Sequence, residues 1–176
     1  MLSAQRSTIV SNTRSQLRVN SELAESIVDG PGIRYAVFVQ GCPHHCEGCH
    51  NPQTHSFDDG YDADIVDIFE SIKENPILEG VTFSGGEPFC QAGPLAELAE
   101  MLHDIGLDVM VYSGWTLDEL IEKAKKEKDV AALLRQADII VDGPFILEQR
   151  NLDLDFRGSD NQKLIYMSEV DLPDFD

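Results

Sequence analysis

Hydrophobic positions along this chain follow two periods that alternate. Residues 33–40 (IRYAVFVQ) form a short apolar, β-branched run that predicts a first strand. From residues 60–62 the spacing changes. Ile65, Ile68, Phe69 and Ile72 recur at intervals of three and four, the apolar face of a helix that Asn75-Pro76 closes. A strand over 81–83 follows. Gly93-Pro94 opens the next helix, with proline where the amide would be unpaired anyway. Its face is Leu95, Leu98, Ala99, Leu102 and Ile105, and Gly106 ends it. Residues 107–112 predict a third strand. Thr116-Leu117-Asp118-Glu119 is a capping box for a helix through Leu120, Ile121 and Ala124. A helical turn or two at Val130, Leu133 and Leu134 precedes a strand over 138–141, and 163–167 predicts a last short strand.

Strands alternating with helices in this order make βαβ units and a parallel α/β sheet. A closed (β/α)8 barrel takes about 250 residues, so 176 residues supply part of one. The expected fold is therefore an open, curved, truncated (β/α) barrel of parallel strands. Its wide side is left for a macromolecule to complete. One domain is expected over 17–176. Residues 1–16 hold four serines and two threonines with few large apolar groups, and are expected to form a disordered extension.

Composition narrows the classes of function. The chain is 42% hydrophobic, and no apolar run approaches the roughly 20 residues a membrane helix requires. Its formal net charge is −19; residues 1–20 carry three arginines and no acid, so the remainder is at −22. Such a surface repels phosphate backbones, which argues against nucleic acid as a direct partner.

The candidate chemistry lies between the predicted elements. Gly41-Cys42-Pro43-His44-His45-Cys46-Glu47-Gly48-Cys49-His50-Asn51 places three of the four cysteines in eight residues, spaced C-x3-C-x2-C. Three soft thiolates suit an iron–sulfur cluster or zinc. A four-iron cluster normally takes four cysteines, so three leave one iron open to a substrate. Zinc would close its tetrahedron with one of His44, His45, His50 or His55, making the chain a non-catalytic binding module. Downstream, Gly80-Val81-Thr82-Phe83-Ser84-Gly85-Gly86-Glu87-Pro88 reads as a strand emptying into a tight turn. Glycines there allow close approach of backbone to a ligand, and a carboxylate beside them can hold an ammonium.

These motifs together resemble the radical S-adenosylmethionine enzymes. Within them the chain is similar to the activating proteins of anaerobic (class III) ribonucleoside-triphosphate reductases. The narrower likeness rests on Asp29-Gly30-Pro31-Gly32-Ile33-Arg34, Tyr112-Ser113-Gly114-Trp115-Thr116, Asp142-Gly143-Pro144-Phe145 and Arg157-Gly158-Ser159-Asp160-Asn161-Gln162. Trp115 stands where such proteins usually have tyrosine.

The resemblance implies an enzyme in which Cys42, Cys46 and Cys49 ligate a 4Fe-4S cluster whose fourth iron binds S-adenosyl-L-methionine. Reductive cleavage of that molecule would then generate a glycyl radical on the reductase large subunit. A flavodoxin-like electron donor and a cytoplasmic, anaerobic setting follow, as does the alternative of activating another glycyl radical enzyme such as pyruvate formate-lyase. It also implies that Gly85, Gly86 and Glu87 bind the methionine ammonium and that Gly48, Cys49 and His50 border the adenine. Ser113 and Asp142 would hydrogen-bond the methionine carboxylate or the ribose, or Asp142 would instead hold a cation, with ordinary turn capping as the alternative for both. No side chain is expected to act as a catalytic acid or base, because cluster and nucleotide carry the chemistry. His44 and His45 are expected to face solvent, His103 to be plain surface and Cys90 to be a small buried hydrophobe. The Arg157–Gln162 run marks the subfamily and is expected to be a polar loop.

Overall fold

A computed structural model describes residues 15–175. The extension expected over 1–16 therefore lies outside the described residues except for its last two. One of these, Gln16, already begins a strand.

The elements are β1 (Gln16–Ser26), β2 (Arg34–Val39), β3 (Tyr61–Asp64), α1 (Ile65–Lys73), β4 (Gly80–Gly85), α2 (Ala92–Asp104), β5 (Asp108–Tyr112), α3 (Leu117–Ala124), α4 (Lys128–Gln136), β6 (Ile139–Asp142) and β7 (Lys163–Tyr166). They build one seven-stranded sheet in the order β3-β1-β2-β4-β5-β6-β7. The central strands β2, β4, β5 and β6 are parallel, as the alternation predicts. The sheet as a whole is mixed, because β1, β3 and β7 pair antiparallel.

Alternate side chains of the parallel strands point to opposite faces. Val37, Val39, Val81, Phe83, Val109, Val111 and Ile140 pack with the apolar stripes of the four helices into the main core. On the other face Met110, Ile139 and Val141 form a smaller cluster with Tyr112, Phe156 and Leu164. That second face carries the site.

Helix starts follow their caps. Asp64 accepts from Val66 N and begins α1 later than the expected 60–62, since 61–64 pairs with β1 as β3. Thr116 and Glu119 form the predicted reciprocal box on α3. Ile105, expected on the apolar face of α2, is its C-cap and is exposed.

A buried arginine closes the amino-terminal end of the sheet. Arg34 is wholly buried, donating from Nε to Thr82 Oγ1 (2.8 Å) and from Nη2 to Val81 O (2.9 Å) and Asp108 Oδ1 (2.5 Å). Thr82 Oγ1 in turn donates to Asp29 O at 2.7 Å. A Cβ at Gly30 would sit 2.7 Å from both Arg34 Cδ and Met110 Sδ. The Asp29-Gly-Pro-Gly-Ile-Arg34 motif is thus a loop drawn across the sheet's open face, which brings Val28 and Asp29 to the cavity described next.

Candidate metal and nucleotide site

The carboxyl ends of the four parallel strands meet at one place. Cys42 follows β2, Gly85-Gly86 ends β4, Ser113 follows β5 and Gly143 follows β6. All of them line a cavity of about 520 Å³, within the roughly 300–1,000 Å³ of small-molecule sites, at the sheet edge where open α/β folds bind ligands.

The cysteine loop is tied to the sheet by backbone. Gly41 N donates to Thr54 O (2.8 Å) and Cys42 N to His55 O (3.1 Å). Gly86 N donates to Val39 O and Glu87 N to Gly41 O, each at 2.8 Å, so the loop and the Gly-Gly turn are locked side by side. A Cβ at Gly86 would run into the Gly41 carbonyl, and Gly85 has φ +93° with Phe38 backbone 2.7 Å from any added Cβ. Glycine is required at both positions by contact and, at Gly85, by conformation.

Cys42, Cys46 and Cys49 all line the cavity. Asn51 N donates to Cys49 Sγ at 3.4 Å, a backbone contact that supports a charged sulfur. Burial pushes the Cys42 thiol above its ordinary value, against the pull of the His44 backbone amide. Among the described residues no three His, Cys, Asp or Glu side chains converge on a point for a single ion; the three sulfurs stand around a shared wall. Three thiols, an amide at one sulfur and a glycine cradle alongside fit a cluster with an exchangeable corner.

His50, Gly85, Gly86 and Ser113 also face the cavity. Three expected site residues do not, and each has a physical reason. Glu87 is wholly buried, and protein donors take both its oxygens. Phe89 N (3.1 Å) and Ser113 Oγ (3.1 Å) donate to Oε1, and Gly114 N (2.8 Å) donates to Oε2, with His44 Nε2 2.8 Å from the latter. It braces the cavity from behind. Asp142 accepts from Leu117 N (2.8 Å) and Lys163 N (3.1 Å), capping α3 and starting β7 away from the ligand space. Gly48 is exposed and absent from the wall, and a Cβ there would stand 2.9 Å from Leu147 Cδ1.

Other expectations change as well. His44 lies against Glu87 and stacks edge-on to Trp115 with centroids 4.6 Å apart, so it is built in and does not face solvent. His45 takes a left-handed φ of +49° and packs on His55, but it is exposed, as expected. His103 bridges Gln136 and Asp138. Cys90 is exposed and absent from the cavity wall.

The residues that sequence reasoning missed belong largely to the 143–162 loop. Phe145, Leu154, Phe156, Arg157, Gly158 and Gln162 line the cavity with Tyr112, Phe38 and Asn51. Phe145 stacks tilted on His50 at 5.1 Å, and a Cβ at Gly158 would fall 2.9 Å from Phe145 Cδ2 and 3.3 Å from His50 Cε1. The loop thus covers the cysteine segment. Its Arg-Gly-Ser-Asp-Asn-Gln motif is visible in the sequence, but the contact with His50 that explains it is not.

Comparison with known proteins follows the same outline. Residues 28–165 match the family model of a 4Fe-4S single cluster domain, a span that takes in every residue of the cavity wall. The chain is 36% identical over 145 residues to the anaerobic ribonucleoside-triphosphate reductase-activating protein of Vibrio cholerae, covering 77% of this chain and 89% of that protein. It is 38% identical over 126 residues to the pyruvate formate-lyase-activating enzyme of Listeria monocytogenes, covering 66% of this chain and 51% of that one. Among solved structures, QueE from Escherichia coli aligns with a TM-score of 0.46 at 19% identity, over 57% of this chain and 53% of that chain. The family match decides against the zinc-binding module. A three-cysteine loop, a Gly-Gly turn locked beside it and near full-length similarity converge on one conclusion: the chain belongs to the family of anaerobic ribonucleoside-triphosphate reductase-activating proteins, built on a 4Fe-4S single cluster domain.

Proposed function

We propose that this chain activates the anaerobic ribonucleoside-triphosphate reductase by generating a glycyl radical on its large subunit. In this reading Cys42, Cys46 and Cys49 hold a 4Fe-4S cluster, and S-adenosylmethionine binds beside it. The observation that carries the reading is that three thiols, the Gly85-Gly86 turn and Ser113 face one cavity at the carboxyl edge of the parallel strands. The bound groups supply the electron and the carbon-centred radical; the residues of the chain bind, orient and exclude water.

Gly85 and Gly86 bring backbone against the methionyl end of the nucleotide, and His50 with Asn51 borders its base. Tyr112 is held well above the ordinary phenol range, by burial first and by the charge of Asp29 second, so it stays neutral. Its hydroxyl donates a hydrogen bond to Phe156 O (2.7 Å) and fixes the covering loop. The four parallel strands with their helices are read as part of a (β/α) barrel of the radical S-adenosylmethionine type. Its open side admits a loop of the large subunit. A flavodoxin-like donor and a cytoplasmic setting complete the proposal, and the free cysteines fit a reducing compartment. No described helix is long and apolar enough to cross a membrane.

Activation of pyruvate formate-lyase is the second reading. Coverage favours the reductase, since the chain spans 89% of the reductase-activating relative and 51% of the lyase-activating one. The test is anaerobic reconstitution with iron and sulfide, followed by electron paramagnetic resonance with each partner. A glycyl doublet on the reductase subunit supports the proposal, and a doublet on the lyase alone refutes it.

A further inference from the structure

Among the described residues that line the cavity, Arg157 carries the only permanent positive charge and Asp29 the only carboxylate. The rest of the wall is apolar, neutral or thiol. This lone cation stands in a chain whose residues beyond the first twenty sum to −22, so the bulk field opposes any anionic group entering here.

Arg157 is also presented with unusual care. The residue before it, Phe156, sits at φ +57°, a left-handed conformation that a bulky side chain adopts only when its surroundings impose it. Phe156 O is held by the Tyr112 hydroxyl, and the residue after Arg157 is held by Gly158 N donating to Gln162 Oε1 at 2.9 Å. Asn151 N binds Gly158 O at 3.1 Å, and Ile146 N binds the buried Ser159 hydroxyl at 3.2 Å. Both flanks are therefore fixed while, among the described residues, the guanidinium itself makes one hydrogen bond, from Nε to Asp155 O at 3.3 Å. A planar fork of donors facing a cavity, and not consumed by protein carboxylates, is suited to a carboxylate ligand.

We infer that Arg157 binds the carboxylate of the methionyl group of S-adenosylmethionine and thereby orients the nucleotide against the Gly85-Gly86 turn. This rests on the reading of the cavity as the nucleotide site. It replaces Asp142, which the structure commits to backbone capping, and it gives the Arg157-Gly-Ser-Asp-Asn-Gln segment a role: the motif shapes a loop that carries one positive charge to the ligand.

The test compares cluster-loaded wild type with Arg157→Gln and Arg157→Lys by equilibrium dialysis, using S-adenosylmethionine and its decarboxylated analogue under anaerobic conditions. Iron content and thermal midpoint confirm that each variant is loaded and folded. Wild type is expected to bind S-adenosylmethionine, and Arg157→Gln to bind it roughly 10- to 100-fold more weakly, the range for losing a charge-assisted hydrogen-bonded partner. For the decarboxylated analogue the wild type and Arg157→Gln should differ by less than about 3-fold, since the group that Arg157 recognises is missing. Arg157→Lys should fall between. Equal affinity of wild type and Arg157→Gln for S-adenosylmethionine overturns the assignment, and if activation of the partner is then slowed, Arg157 belongs to the protein interface. Equal weakening for both nucleotides also overturns it, pointing to loop distortion. Failure of loaded wild type to bind S-adenosylmethionine overturns this inference and the nucleotide-site reading together.

Discussion

Replacing Glu87 with glutamine separates a brace from a ligand-binding group. In the structure its buried carboxylate accepts from Phe89 N, Ser113 Oγ and Gly114 N and lies 2.8 Å from His44 Nε2, linking the cysteine loop to the ends of β4 and β5. Glutamine keeps the shape but turns one acceptor into a donor. If the amide nitrogen faces Gly114 N, that amide and His44 lose their acceptor; if it faces Phe89 N, the cap of the short 3-10 helix Pro88–Gln91 is lost. Each buried group left unsatisfied costs about 1–3 kcal/mol, so one or two of them give a loss of about 1–6 kcal/mol. For a domain of this size 1 kcal/mol moves the melting midpoint by about 2–4 °C. The midpoint of Glu87→Gln should therefore fall by roughly 2–24 °C, measured on samples of matched iron content. A midpoint within about 2 °C of wild type, together with lost nucleotide binding, would show that Glu87 meets the ligand directly and that the bracing role is wrong.

The remaining predictions address other parts of the same assembly. Cys46→Ala should abolish reductive cleavage of S-adenosylmethionine and lower bound iron while leaving the far-ultraviolet dichroism of the sheet and helices unchanged; retained cleavage would remove Cys46 from the donor set. Asp142→Asn should lower stability by about 1–2 kcal/mol, because a charged acceptor for Leu117 N and Lys163 N becomes neutral. Nucleotide affinity should stay within about 2-fold of wild type, and a larger drop in dialysis would restore Asp142 to the ligand shell. Gly158→Ala places a methyl against Phe145 and His50, which costs about 1–3 kcal/mol as overpacking. Hydrogen exchange across 143–162 should accelerate, and unchanged protection there would contradict the clamp.

The parallel core was legible because its signals are local. The period of β2, β4, β5 and β6 and the capping box at Thr116 are written in neighbouring residues. β1 escaped notice because only Leu17 and Val19 of its eleven residues combine apolar character with full burial, and the rest is polar or half-exposed. Its place in the sheet comes from pairing with β2 and β3, a long-range fact. β3 was read as the first turn of a helix for the same reason. At the site, residue types announced the thiols and the Gly-Gly turn. What they could not announce is direction: Glu87 and Asp142 are polar residues at the right edge of the sheet whose side chains turn back into backbone amides. The Arg157–Gln162 motif is visible in the sequence but its place at the site is not, because the cavity exists only once residues 143–162 fold over His50.

A seven-stranded sheet that does not close on itself carries two rims of unpaired backbone, each a template for unwanted self-association. Here β3 is four residues long with two aspartates, and β7 is four residues long and begins with a lysine. Short, charged borders are how natural sheets discourage stacking of copies edge to edge. The fold can thus leave the carboxyl edge of its strands accessible without inviting its own kind to polymerise along the flanks.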